Sequence, residues 1–141
     1  MAAVSKATTT WNGDLTSGAG STALETSEVG TFDVSWKART EPGGGTTTPE
    51  ELLAAAHASC FSMALSHGLT ENGTPPTTVS TSAEVSFVPG TGITGIALST
   101  TASVEGIDDA DFQRIAEDTK TGCPVSAALS AVPITLRATL A

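Results

Sequence analysis

One stretch constrains the fold of this chain more than any other. It opens Thr48-Pro49-Glu50-Glu51 and continues Leu52-Leu53-Ala54-Ala55-Ala56-His57-Ala58-Ser59-Cys60-Phe61-Ser62-Met63-Ala64-Leu65. Thr at the N-cap, Pro at N1 and Glu at N3 form a capping box. Glu50 also complements the positive helix end. The spacing predicts a helix from about Pro49 to His67, with Gly68 as its C′ residue. Beyond Glu51 its side chains are small or apolar nearly all round, and such a helix is buried on most faces. A chain of 141 residues is one domain, 1–141. A single domain has difficulty covering a helix on every side, so a partner subunit is implied. Only 4% of the chain is aromatic, which leaves Ala, Val, Leu and Ile to build the core.

The flanking segments read as an α+β fold. Thr8-Thr9-Thr10-Trp11 is strand-prone and stops at Asn12-Gly13-Asp14, and Ser17-Gly18-Ala19-Gly20 reads as a second turn. Thr31 to Arg39 alternates, with Phe32, Val34, Trp36 and Ala38 on one face, which predicts a strand. Pro42-Gly43-Gly44-Gly45 breaks the chain before the long helix. Strands are expected at Val79–Val88 and Ile93–Val104. A helix then begins at Asp108 with Phe112, Ile115, Ala116 and Thr119 inward and ends at Gly122. A short helix from Val125 to Leu129 and a strand from Val132 to Leu140 complete the order.

Charge narrows the function classes. The net charge is −9, from 15 acidic and 6 basic residues, and the basic ones are scattered. Nucleic acid and anionic membrane surfaces both demand clustered Lys and Arg. The N-terminus has no basic segment followed by an apolar run, so no signal peptide is expected. No apolar run of about 18 residues is read as a membrane span. The expected compartment is the cytoplasm, where two cysteines are more often free or catalytic than a structural staple.

Those cysteines are Cys60, inside the long helix, and Cys123, in Thr121-Gly122-Cys123-Pro124-Val125-Ser126. A buried cysteine is ordinarily a small hydrophobe. Cys60 stands mid-helix, beyond reach of the helix dipole, so reactivity there requires a cation supplied from elsewhere. Cys123 precedes a helix start, where free N–H groups favour a thiolate; a packing or capping role fits as well. A disulfide between them needs their Cα atoms within about 7 Å. His57 lies three residues before Cys60 on the same helical face, which permits shared metal ligation, tuning of the thiol or plain satisfaction in the core. His67 stands about 15 Å further along the axis, so the three cannot hold one ion. Glu50 and Cys60 are separated by a similar distance, so a role for Glu50 at the thiol points across a dimer interface.

The Thr48–Leu65 segment and the Thr121–Ser126 segment together resemble the OsmC/Ohr family, the osmotically inducible protein C and organic hydroperoxide resistance proteins. The Ala-Ala-Ala-His-Ala-Ser-Cys run favours the OsmC branch. The resemblance implies an intertwined homodimer with long helices packed against antiparallel sheets. It implies a thiol peroxidase active in oxidative and osmotic stress, with organic hydroperoxides preferred to hydrogen peroxide. Cys60 matches the peroxidatic thiol, Cys123 the resolving thiol that forms a disulfide with it, Arg39 the arginine that stabilises the thiolate, and Glu50 the carboxylate that orients Arg39. Leu53, Phe61 and Met63 are candidates for an apolar lining. The reductant implied is an external dithiol, with a lipoylated protein as the donor the resemblance suggests, and no metal or organic cofactor is called for.

Two other readings compete. A hotdog-type thioesterase also wraps a sheet around a long buried helix, but it does not need both thiols. A lipophilic binding protein built as a β-rich dimer needs neither. Cys60→Ser separates them, because either alternative keeps its activity without the thiol.

Overall fold

A computed structural model describes residues 1–141. The chain forms two compact units, Met1–Leu52 and Leu53–Ala141. The first holds an antiparallel three-stranded sheet in the order β1-β2-β3, with β1 Ala7–Asn12, β2 Ala19–Leu24 and β3 Thr31–Val34. Asp14 shapes the β1–β2 turn: its carboxylate accepts from the N–H groups of Thr16 and Ser17 at 2.9 and 2.8 Å. The turn closes at Gly18, so Ala19 and Gly20 belong to β2 rather than to the turn expected there. Gly20 is required by space, since a Cβ there would meet the Trp11 ring at 2.7 Å.

The strand expected over Thr31–Arg39 is corrected. β3 ends at Val34, and Trp36–Thr40 forms a short helix, α1. Ser35 decides the change, because its side chain caps α1 by accepting from Ala38 N–H at 3.2 Å. Period-two alternation over nine residues hid a capping serine that competes with the sheet ladder. Ala38 is buried, while Phe32, placed on the same face in the sequence reading, is exposed.

The long helix α2 runs Pro49–Glu71. Thr48 caps it as expected, accepting from Glu51 N–H at 3.0 Å. The Glu51 carboxylate, however, accepts from the Thr47 hydroxyl at 2.8 Å. The expected stop at Gly68 is also corrected, since α2 continues through it and the chain turns at Gly73, with φ +82°. Gly68 lacks a side chain for a packing reason: a Cβ there would stand 3.1 Å from Ile115 Cγ2. By length and composition α2 does reach membrane-spanning size, with 23 residues and mean hydropathy 1.2, contrary to the sequence reading. Core helices of globular proteins pass the same test.

In the second unit, β4 (Pro76–Val88) pairs antiparallel with β5 (Gly92–Val104), and β5 pairs parallel with β6 (Ile134–Leu140). Central β5 turns Ile96, Leu98, Thr100 and Ala102 inward. The buried row Phe61, Leu65 and Leu69 of α2 joins them in one core with Phe112, Ile115 and Ala116. Those last three lie on α3, Asp109–Gly122, whose inward face is the one read from sequence. A polar ladder crosses this core, from Ser62 to Thr81 at 2.8 Å and from Thr81 to Thr100 at 2.9 Å. α4, Pro124–Ala128, follows α3 directly.

The α2–α3 contact through Gly68 yields a stability prediction. Gly68→Val is expected to lower the unfolding free energy by about 2 kcal/mol, because the added methyls must displace Ile115 in a packed core. Urea unfolding measures it, and an unchanged midpoint would show that the contact yields freely.

Candidate active site

Two clusters of chemistry-bearing side chains form, one in each unit. In the second, Cys60 on α2 and Cys123 between α3 and α4 bring their sulfurs to 3.2 Å, both as free thiols. Local sequence explains how Cys123 is held. Its N–H closes α3 by donating to Thr119 O at 2.8 Å. Pro124 has no N–H to give, so Val125 and Ser126 carry the first backbone N–H groups after Cys123, and both favour its thiolate.

The electrostatics of the two thiols differ. Burial pushes the Cys123 thiol up. Hydrogen bonds from Ser126 N–H, the Cys60 thiol, the Ser126 hydroxyl and Val125 N–H outweigh it and bring the group below its usual range. Burial pushes the Cys60 thiol up as well. There one backbone donor, Val125 N–H, opposes it, and the neighbouring Cys123 adds to the rise. Within this unit the favoured thiolate is therefore Cys123. Cys60 retains the need for a cation inferred from its mid-helix position. It is partly accessible, whereas Cys123 is fully buried.

The sequence reading left His57 with several possible roles. Its ring is fully buried, and Nε2 lies 2.7 Å from Ser126 Oγ. It thus reaches the α4 segment that cradles Cys123. Nδ1 is buried with no hydrogen-bond partner. Ser126 was quoted only as part of a motif, and nothing in a one-dimensional pattern pairs it with a histidine 69 residues away. Of the suggested lining residues, Phe61 is sunk in the core and Met63 is 68% exposed.

In the first unit Arg39 and Glu50 form a bidentate ion pair. Arg39 Nε stands 3.2 Å from each Glu50 carboxylate oxygen and Nη2 stands 2.5 Å from Oε1. Glu50 is buried and Arg39 about a quarter exposed, so the pair is shielded more than a surface bridge. The guanidinium also lies over the Trp36 ring, 5.7 Å from its centroid. Trp11, Leu15, Val34 and Trp36 line a mostly apolar groove of about 340 Å³ that includes Arg39. The apolar lining proposed near Cys60 did not include these residues.

Burial holds the His57 pKa below its ordinary 6.5. The unfolded chain therefore takes a proton on His57 near pH 6.5, and the folded chain only at lower pH. Between those values the unfolded state binds more protons, so stability falls as pH falls. The thermal midpoint of the wild type is expected to drop between about pH 7 and about pH 5 more steeply than that of His57→Gln. Parallel pH dependences would show that His57 protonates freely in the fold.

Comparison with known proteins places this geometry. The OsmC family, described as OsmC-like protein, matches residues 42–137. The chain is 44% identical over 124 residues to Peroxiredoxin OsmC of Escherichia coli K12, covering 86% of each protein, and equally to Peroxiredoxin OsmC of Shigella flexneri. An organic hydroperoxide resistance protein OsmC from Legionella pneumophila shares the fold with TM-score 0.67 and 22% identity over 99% of both chains. The OsmC-like protein of Mycoplasma pneumoniae does so with TM-score 0.74 and 15% identity, again over 99% of both. OhrB of Bacillus subtilis matches with TM-score 0.63 and 22% identity, over 96% of this chain and 98% of its own. With both thiols in one core and extended identity to OsmC proteins, the chain belongs to the OsmC family, on its OsmC branch.

Proposed function

We propose that this protein is a cysteine-based peroxidase that reduces organic hydroperoxides through Cys60 and Cys123. The observation that carries the reading is the 3.2 Å approach of two free sulfurs from separate elements. The identity to Peroxiredoxin OsmC supports the same chemistry. Cys60 is the more accessible sulfur and takes the attacking role. Its thiolate attacks the distal peroxide oxygen; as the S–O bond forms the O–O bond breaks, the alkoxide leaves and takes a proton to become the alcohol, and Cys60 is left as the sulfenic acid. Cys123 then attacks the Cys60 sulfur, an S–S bond forms, and the oxygen leaves as water. An external dithiol reduces the disulfide, and a lipoylated protein is the reductant we favour.

Cys60 needs a cation to hold its thiolate, and Arg39 is the candidate. A planar guanidinium fixed by Glu50 and Trp36 is suited to a charge-assisted contact with sulfur and peroxide. The apolar groove beside Arg39 suits a hydrocarbon tail, which supports organic hydroperoxides over hydrogen peroxide. We read the two units as one functional domain, since the family match runs across their boundary. We also read the protein as an intertwined homodimer. In the single chain α2 buries His57, Phe61, Leu65 and Leu69 but leaves Ala55, Ala56, Ser59 and Met63 exposed. Glu50 and Cys60 stand ten residues apart on α2, a rise of about 15 Å, which supports Arg39 and Glu50 serving the partner's thiol.

Wild type with a dithiol is expected to consume cumene hydroperoxide much faster than hydrogen peroxide, and Cys60→Ser to lose that activity by at least about a thousandfold. Equal, slow consumption by both proteins would instead favour a lipophilic binding protein. A mixture of Glu50→Ala and Cys60→Ser homodimers, each inactive, is expected to recover about a quarter of wild-type turnover after subunit exchange, because the heterodimer rebuilds one site of two. No recovery despite demonstrated exchange would place Glu50 and Cys60 of one site in the same chain.

A further inference from the structure

We propose that the His57–Ser126 hydrogen bond is a strut between α2 and α4 that keeps Cys123 within reach of Cys60 and thereby sets the rate of disulfide closure. The inference rests on the reading of Cys123 as the resolving thiol. It gives a task to a buried histidine and serine that the peroxidase mechanism leaves idle.

Two contacts join α2 to the segment around α4. The sulfurs of Cys60 and Cys123 stand 3.2 Å apart, and His57 Nε2 stands 2.7 Å from Ser126 Oγ. The pairing is regular. Cys60 follows His57 by three residues and Ser126 follows Cys123 by three, so the contacts form two antiparallel rungs about one helical turn apart. The rung at the sulfurs opens and closes in each catalytic cycle. The rung at His57 can stay closed throughout, because neither of its side chains takes part in the redox chemistry. It is also sheltered, since His57 is fully buried and Ser126 is 3% exposed. Burial keeps water from replacing a bond lost there, and a hydrogen bond in such surroundings fixes geometry more firmly than apolar contact alone. Nδ1 has no partner, so Ser126 is the polar group that holds the ring.

The strut acts on Cys123 through the backbone. α4 has five residues, too few to hold a helix by itself. Its Ala127 N–H donates to Cys123 O at 2.9 Å, so Cys123 and Ser126 move as one piece. Val125 and Leu129 pack on the core but remain only half-buried. The His57 bond is thus the polar tie that holds this piece on α2. The consequence falls on the second chemical step. When Cys60 is a sulfenic acid, Cys123 as its thiolate attacks Cys60 Sγ. The S–S bond forms as the S–O bond breaks, the Cys123 sulfur is oxidised and the Cys60 sulfur reduced, and hydroxide leaves and is protonated to water. A disulfide spans about 2.05 Å, so from 3.2 Å the sulfurs need to approach by only about 1 Å. Side-chain rotation covers that distance while the strut holds the backbone. Without the strut Cys123 spends more of its time out of reach, and closure slows in proportion. His57 and Ser126 transfer no proton or electron in this step and are positioning residues.

The test has two arms. In the first, one equivalent of dithiodipyridine is added to the reduced protein without any peroxide, and thiopyridone release is followed by stopped-flow absorbance. The first release marks attack by the more accessible Cys60, which leaves a mixed disulfide on its sulfur. The second marks attack of Cys123 on Cys60 Sγ, which forms the protein disulfide and expels the remaining thiopyridone. Ser126→Ala and His57→Asn are expected to slow the second phase about tenfold and to leave the first unchanged. His57→Gln, whose amide nitrogen can take the place of Nε2, is expected to keep both phases near their wild-type rates. A general loss of packing would disturb both phases and would not be rescued by Gln. Equal second phases in Ser126→Ala and wild type would overturn the strut. So would equal second phases in the Gln and Asn variants, a contrast that stands even if Ser126→Ala does not fold. In the second arm, one equivalent of cumene hydroperoxide replaces the reagent, and sulfenic acid is trapped with dimedone over time. Ser126→Ala is expected to retain its sulfenic acid about tenfold longer, and a lifetime equal to that of wild type refutes the strut's role in the peroxidase cycle. A wild type that closes in neither arm overturns the resolving role of Cys123 and the strut with it. Closure with dithiodipyridine alone overturns the peroxidase reading, and the first arm then decides the strut.

Discussion

The approach of the Cys60 and Cys123 sulfurs to 3.2 Å is the constraint on which the proposed chemistry of this protein depends. It is made by packing. α2 is anchored by Phe61, Leu65 and Leu69, and α3 by Phe112, Ile115 and Ala116, in the same core. Gly68 permits close contact by leaving room for Ile115. Cys123 then falls at the junction where α3 ends and α4 begins, a place set by Gly122 and Pro124. A residue at such a junction gains backbone donors that a mid-helix residue lacks, which accounts for the asymmetry between the two thiols.

That asymmetry separates two demands on the site. Cys123 has groups that favour its thiolate within its own unit, at Ser126 and Val125. Cys60 has burial against it and a single backbone donor in its favour. The peroxidatic role proposed for Cys60 thus calls for outside charge, and in a chain with only six basic residues Arg39 is the cation we propose for it. The bidentate Glu50 pair and the Trp36 ring restrict Arg39 without neutralising its usefulness, since a guanidinium retains further N–H donors.

Much of this was legible in the sequence, for identifiable reasons. α3 was read correctly down to its buried face because Asp108, the Phe112-Ile115-Ala116-Thr119 spacing and Gly122 are all local signals that agree. The two cysteines and the Arg39–Glu50 pair came through resemblance, since spacing alone could not bring residues 63 or 11 positions apart together. Errors arose where one residue type serves two purposes. Gly68 was read as a helix stop and is a packing glycine; Ser35 was read as a strand residue and is a cap. The His57–Ser126 bond was illegible in principle, because both residues have ordinary local roles and only the tertiary fold joins them.

The central claim is that the two sulfurs form one functional pair within a chain. Its most direct test is thiol counting with intact mass and peptide mapping after one equivalent of cumene hydroperoxide. The account predicts the loss of both thiols, no retained oxygen and a single cross-link joining the Cys60 and Cys123 peptides of the same chain. A stable oxygen adduct with Cys123 still free, or a cross-link between chains, would contradict it.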